Sequence, residues 1–160
     1  MPRKFQVHRL GNRCRRESSH PRYHQHNLTH PKYQLQTMAS SAPTFWYKIL
    51  DQAPPSPLPE TLPATDLDAH DGFIHLSTAS QIPITAGLFF KTHTSIWVLK
   101  LRREKIDGRV EYPPELGESC PHIHDSTTGL GKHNVEDVIE LKRGEDQKWS
   151  DVPEMAKLEG

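Results

Sequence analysis

Residues 72–90, Gly72-Phe-Ile-His-Leu-Ser-Thr-Ala-Ser-Gln-Ile-Pro-Ile-Thr-Ala-Gly-Leu-Phe-Phe90, change periodicity part-way along. Over Phe73 to Ser77, the side chains of Phe73, His75 and Ser77 fall on one face and those of Ile74 and Leu76 on the other, the two-residue period of a strand. Beyond it Ile82, Ala86 and Phe89 or Phe90 recur at helical spacing and should face a core. Pro83 has no amide to donate, so it belongs in a first turn, with Ser80 as the cap. The stretch therefore reads as a strand feeding a helix of about residues 80–91.

Outward from this unit the sequence is mostly strand-like. Thr44 to Leu50 is aromatic and β-branched and reads as a first strand. Residues 53–63 hold five prolines, which remove amide donors and restrict φ, so they form an extended loop. Asp66 to Gly72 is turn chemistry. Ser95 to Leu101 is the clearest strand, Arg109 to Tyr112 and Cys120 to His124 are short extended pieces, and Val135 to Leu141 is a last strand whose spacing also admits a helix. Trp149 and the remainder read as a tail. One helix among several strands predicts a small α+β domain whose sheets pack on each other.

Composition bounds the rest. The 160 residues are 34% hydrophobic, with 14 prolines and zero formal net charge. No apolar run approaches the ~18–20 residues of a membrane span, and none forms the apolar region of a secretory signal. Cys14 and Cys120 lie far apart, so a disulfide scaffold and a cysteine zinc finger are excluded. A cytoplasmic location is the expectation.

Zero net charge conceals an asymmetry. Residues 1–37 carry eight Lys/Arg against one Glu, a net of +7; the remaining 12 basic and 19 acidic residues leave −7. The first segment has almost no periodic apolar pattern and reads as a disordered basic extension over residues 1–40. It is a dispensable extension if Met38 starts the folded part. The alternatives are a mitochondrial transit peptide, or an arm that binds nucleic acid through counterion release. The acidic domain itself, residues 41–150 followed by a tail of 151–160, is not expected to bind nucleic acid through bulk charge.

Two segments could carry chemistry. In the first, His75, Ser77 and Thr78 place an imidazole and two hydroxyls near a helix start, an arrangement suited to an anion, a ribose hydroxyl or an amide. The plainer alternative makes the hydroxyls helix caps and His75 a core histidine. In the second, His122 and His124 are two residues apart and share a strand face, which suits a metal if His75, His70, Glu111 or His133 joins them. No P-loop, G-x-G-x-x-G, H-E-x-x-H or G-x-S-x-G pattern is present.

Asp68 to Phe90, Trp97 to Leu101 and Pro121-His-Ile-His124 together resemble the family called domain of unknown function 952, over about Phe45 to Val138. That family is similar in fold to the ADP-ribosyltransferases, a compact α+β domain with two small sheets split around an NAD-binding cleft. The resemblance implies a pocket for NAD or a related small-molecule nucleotide, with NAD as cofactor and an ADP-ribosyl or related glycosyl transfer as the activity. It further implies His75 as the ribose-binding histidine, His122 as a second histidine and Glu111 as the best-placed carboxylate. Phe73, Ser77, Thr78, Gln81 and His124 would complete the cofactor side. His124 stands where the family usually shows an aromatic such as Tyr. Two other readings stay open, a metal module built on His75, His122 and His124, and a non-catalytic binding module.

Overall fold

A computed structural model describes residues 42–160. The extension read over residues 1–40, with its transit-peptide and nucleic-acid alternatives, lies wholly outside the described residues. The described chain forms an α+β domain with two three-stranded antiparallel sheets. Strands β1 (Phe45–Leu50), β3 (Ser95–Arg102) and β6 (Val135–Lys142) make the first sheet, in the order β1-β3-β6. Strands β2 (Ile74–His75), β5 (His122–His124) and β4 (Arg109–Glu111) make the second, in the order β2-β5-β4. The main helix α2 (Ile82–Phe89) is preceded by a short helix α1 (Asp66–Asp71).

Alternation along the first sheet sends side chains to two cores. Phe45 and Tyr47 of β1 join Ile96 and Val98 of β3 and Leu141 of β6 on one face, where Ile82 and Ala86 of α2 cover them. Trp46 of β1 and Leu99 and Leu101 of β3 point the other way, against Leu76, Ile123 and Leu130. The first sheet is thus a middle layer between helix and second sheet. The pairing of β6 with β3 at seven positions settles its spacing as strand.

Three expectations are corrected and one open choice is decided. The segment read as one strand over Phe73 to Ser77 serves both sheets: only Ile74 and His75 pair with β5, while Ser77 crosses to bridge Tyr47 of β1 through two 2.9 Å hydrogen bonds. The segment read as a turn is helix α1. Thr65 caps it by accepting from the Asp68 amide at 3.3 Å, and Gly72 ends it in the left-handed region at φ 78°. Its six residues are too few to show a period. Ser80 does not cap α2, since it lies within a 3-10 turn, Ala79–Gln81, that leads into the helix, with Pro83 in the first turn. Of the two phenylalanines, Phe90 packs against the core and Phe89 is 74% exposed.

The tail is also corrected. Trp149, Val152 and Met155 are buried in the first core, and the Trp149 indole N–H donates to the Phe90 carbonyl at 2.9 Å. The Tyr47 hydroxyl donates to the Glu159 carbonyl at 2.7 Å. Widely spaced apolar residues carried by 3-10 turns, Trp149–Asp151 and Pro153–Lys157, lack the long periodic run by which sequence reveals a packed element. Among the described residues no helix is long and apolar enough to cross a membrane.

Candidate functional site

Register in the second sheet decides which functional side chains meet. His122 of β5 pairs with His75 of β2 on one side and with Glu111 of β4 on the other, and His124 pairs with Arg109. Directly paired residues in an antiparallel ladder share a face, so His75, His122 and Glu111 form one row and His124 and Arg109 the next. The intervening Ile74, Ile123 and Val110 point to the opposite face, where Ile123 fills the second core. An apolar residue between two histidines fixes their orientation: burying Ile123 turns His122 and His124 outward together.

The ring of Phe73 lies among the three imidazoles. Its centroid is 4.5 Å from that of His75, 4.5 Å from that of His122 and 4.7 Å from that of His124, and the His75 and His122 rings are 4.9 Å apart. The imidazoles therefore pack around an aromatic ring instead of converging on a common point. Among the described residues no group of three or more His, Cys, Asp or Glu side chains is arranged to hold a metal.

His75 is anchored by two residues of α1. Asp68 Oδ1 accepts from the His75 main-chain N–H at 3.0 Å and from its ring Nδ1 at 2.8 Å, while Asp71 Oδ2 lies 3.2 Å from Nε2. The other oxygen of Asp68 pairs with the Lys48 ammonium at 2.5 Å, and both partners are nearly wholly buried. Burial alone would raise the Asp68 pKa. The hydrogen bond from His75 and the charge and hydrogen bond of Lys48 outweigh it, and the carboxyl falls to about 2. Asp68 is thus a carboxylate at neutral pH, and Nδ1 of His75 carries the proton that reaches it. Burial lowers the Lys48 pKa, with Asp68 acting in the opposite sense.

His122 has its pKa lowered, first by burial and then by the neighbouring His75 and His124, with Asp71 and Asp68 opposing. Glu111 is half exposed, lies 3.4 Å from His124 Nε2 through its Oε2, and pairs with Arg109, which also reaches Asp125 at 3.5 Å. The face thus combines a neutral-leaning imidazole, an imidazole anchored by carboxylates, an accessible carboxylate and a flat aromatic surface. Such a set can move a proton and hold a hydroxyl-rich ligand.

Of the residues singled out in the sequence, His75, His122, His124, Phe73 and Glu111 come together. Ser77 is buried at the bridge to β1, and Thr78 lines a different groove of about 850 Å³ with Ser80, Glu118 and Ser119. Gln81 sits at the start of α2, where its amide N–H donates to the Thr78 carbonyl at 3.0 Å. Sequence reasoning missed Asp68, Asp71, Lys48 and Arg109. The spacing Asp68-Ala-His-Asp71 on a helix was the available signal for the first two, once Thr65 and Gly72 are recognised as its caps.

The sequence family described as "Protein of unknown function (DUF952)" matches residues 57–140. The chain belongs to the DUF952 family. The DUF952 span holds Phe73, His75, Glu111, His122 and His124, whereas β1 with Lys48 and the buried segment around Trp149 lie outside it. A double-mutant form of protein CC0527 from Caulobacter crescentus, solved by X-ray crystallography, is similar at 25% identity and a TM-score of 0.51, over 64% of this chain and 90% of that one. Protein CC0527 without those mutations is similar at 24% identity and a TM-score of 0.47, with the same coverage. No curated protein matches.

Proposed function

We propose that this DUF952 domain is a compact relative of the ADP-ribosyltransferases that binds an NAD- or ADP-ribose-type nucleotide on the histidine face and transfers an ADP-ribosyl or related glycosyl group. The observation that carries the reading is the row His75, His122 and Glu111 on three neighbouring strands, two histidines and a carboxylate on one face. The donor set suits the ligand: imidazole nitrogens for sugar hydroxyls, the Phe73 ring for a flat base, and a half-exposed Glu111 carboxylate. NAD supplies a glycosidic bond whose cleavage builds positive charge on the ribose. Glu111 provides the compensating negative charge, and His75, oriented by Asp68 and Asp71, positions the sugar. His122, inclined to be neutral, accepts or returns a proton. Ser77, Thr78 and Gln81 are not needed for this reading. We place the protein in the cytoplasm.

Thermal denaturation tests the reading. Saturation at about 100 Kd of NAD or ADP-ribose stabilises by about 2.7 kcal/mol and raises Tm, and His75→Ala removes the shift. A flat response to NAD, ADP-ribose and nicotinamide refutes it. Nucleotide binding without release of free nicotinamide from NAD would make the domain a binding module instead of a transferase.

A further inference from the structure

Lys48 is a buried charge that serves the histidine face only indirectly, by pairing with the Asp68 carboxylate that holds His75. It lies on the face of β1 that looks toward the second sheet, where its neighbour across the ladder is Leu99. Its ammonium has three donors, and its hydrogen-bond partner among the described side chains is Asp68. A buried cation with donors to spare needs acceptors from water or a ligand. It has room for them. Lys48 and Asp68 line a cavity of about 280 Å³ between the sheets, whose walls are largely apolar, with Leu50, Ile74, Leu99 and Leu130 among them. The cavity shares Lys48, Leu50 and the segment Leu62 to Thr65 with a wider groove of about 570 Å³ under the proline-rich loop. His93 lines that groove, and its buried Nδ1 has no hydrogen-bond partner among the described residues.

We infer that this cavity is a second ligand site, separate from the histidine face, for a small neutral molecule with an apolar body and a carbonyl or amide oxygen that accepts from Lys48. Size sets the first limit: the space equals about nine waters at ~30 Å³ each, enough for a molecule of roughly eight to ten heavy atoms. Charge sets the second. An anionic head near Lys48 would also meet the Asp68 carboxylate, whose Oδ2 is 2.5 Å from the ammonium, and would pass Asp51 and Asp66 in the wider groove. The Lys48 charge is already balanced, so a neutral acceptor satisfies its spare donors without adding a buried charge. A wholly apolar molecule would fill the walls and leave those donors unpaired.

The test uses ε-caprolactam, cyclohexanecarboxylate and cyclohexane as probes on the full chain, read by methyl NMR shifts of Leu50, Ile74, Leu99 and Leu130. Caprolactam should shift these methyls and bind about tenfold or more tightly than either other probe, since each lacks a neutral acceptor. Lys48→Met should erase its advantage over cyclohexane. Ala64→Phe, at an exposed position on the cavity rim, should abolish binding while leaving the spectrum of a folded domain. The inference is overturned if no probe shifts these methyls, if the carboxylate or cyclohexane binds as tightly as the lactam, or if Ala64→Phe binds it unchanged. NAD and ADP-ribose binding is read at the other face, so either result stands without the other.

Discussion

Asp68→Asn tests the electrostatic core of the site. The substitution keeps the shape and removes the charge shared by Lys48 and His75, leaving an ammonium whose side chain is only 6% exposed. Lys48 can remain charged, and breaking a buried pair in this way costs about 3–5 kcal/mol. Alternatively it can release its proton, which costs about 1.4 kcal/mol per pH unit below an ordinary lysine pKa. From the reference value of 10.5, that route costs about 5 kcal/mol at pH 7 and about 2 kcal/mol at pH 9. The cheaper route wins at each pH. Asp68→Asn should therefore lose about 3–5 kcal/mol at pH 7 and no more than about 2 kcal/mol at pH 9, measured against wild type by urea unfolding at both pH values. In a Lys48→Met background the same substitution should cost much less, because no ammonium is left to strand. A loss below about 1 kcal/mol at pH 7, or one that does not shrink at pH 9, would show that Lys48 reaches solvent and that the buried pair does not organise the site.

Further outcomes follow from the same geometry. The Asp68 carboxyl is depressed from 3.8 to about 2, so its contribution of about 2 kcal/mol is present above pH 4 and lost as pH falls toward 2. Urea midpoints across that range should drop in wild type and stay flatter in Asp68→Asn. The His122 imidazole should titrate below 6.5 by NMR, and His75→Gln or His124→Gln should raise its midpoint by removing a neighbouring positive charge; a wild-type midpoint at or above 6.5 would contradict the packing around Phe73. Trp149→Ala should cost about 3–5 kcal/mol in chemical denaturation, as expected for an aromatic removed from a core. A near-neutral result would mean that the segment after β6 is dispensable.

The long strands were legible because each carries its own signal. Ser95 to Arg102 alternates apolar residues toward two cores and can hardly be read otherwise, and Phe45 to Leu50 opens on three aromatic residues and carries β-branched Ile49. Helix α1 was hidden because six residues make fewer than two turns, leaving Thr65 and Gly72 as its only markers. The segment around Trp149 was hidden because a 3-10 turn buries single residues at wide spacing.

For the candidate site, the sequence by itself singled out the three histidines, Phe73 and Glu111 and, through strand alternation, put His122 and His124 on one face and Phe73 and His75 on another. Those are local facts, set by the two-residue pleat. Tertiary structure decided that the two faces are one. Pairing His75 with His122, 47 positions on, and His122 with Glu111, 11 positions back, depends on separate strands, and their register is fixed by the burial of Ile74 and Ile123 and not by anything adjacent in the chain. The Lys48–Asp68–His75 chain was equally invisible beforehand. It joins β1, α1 and β2, and a buried ion pair has no sequence signature, because its partners need only meet in space.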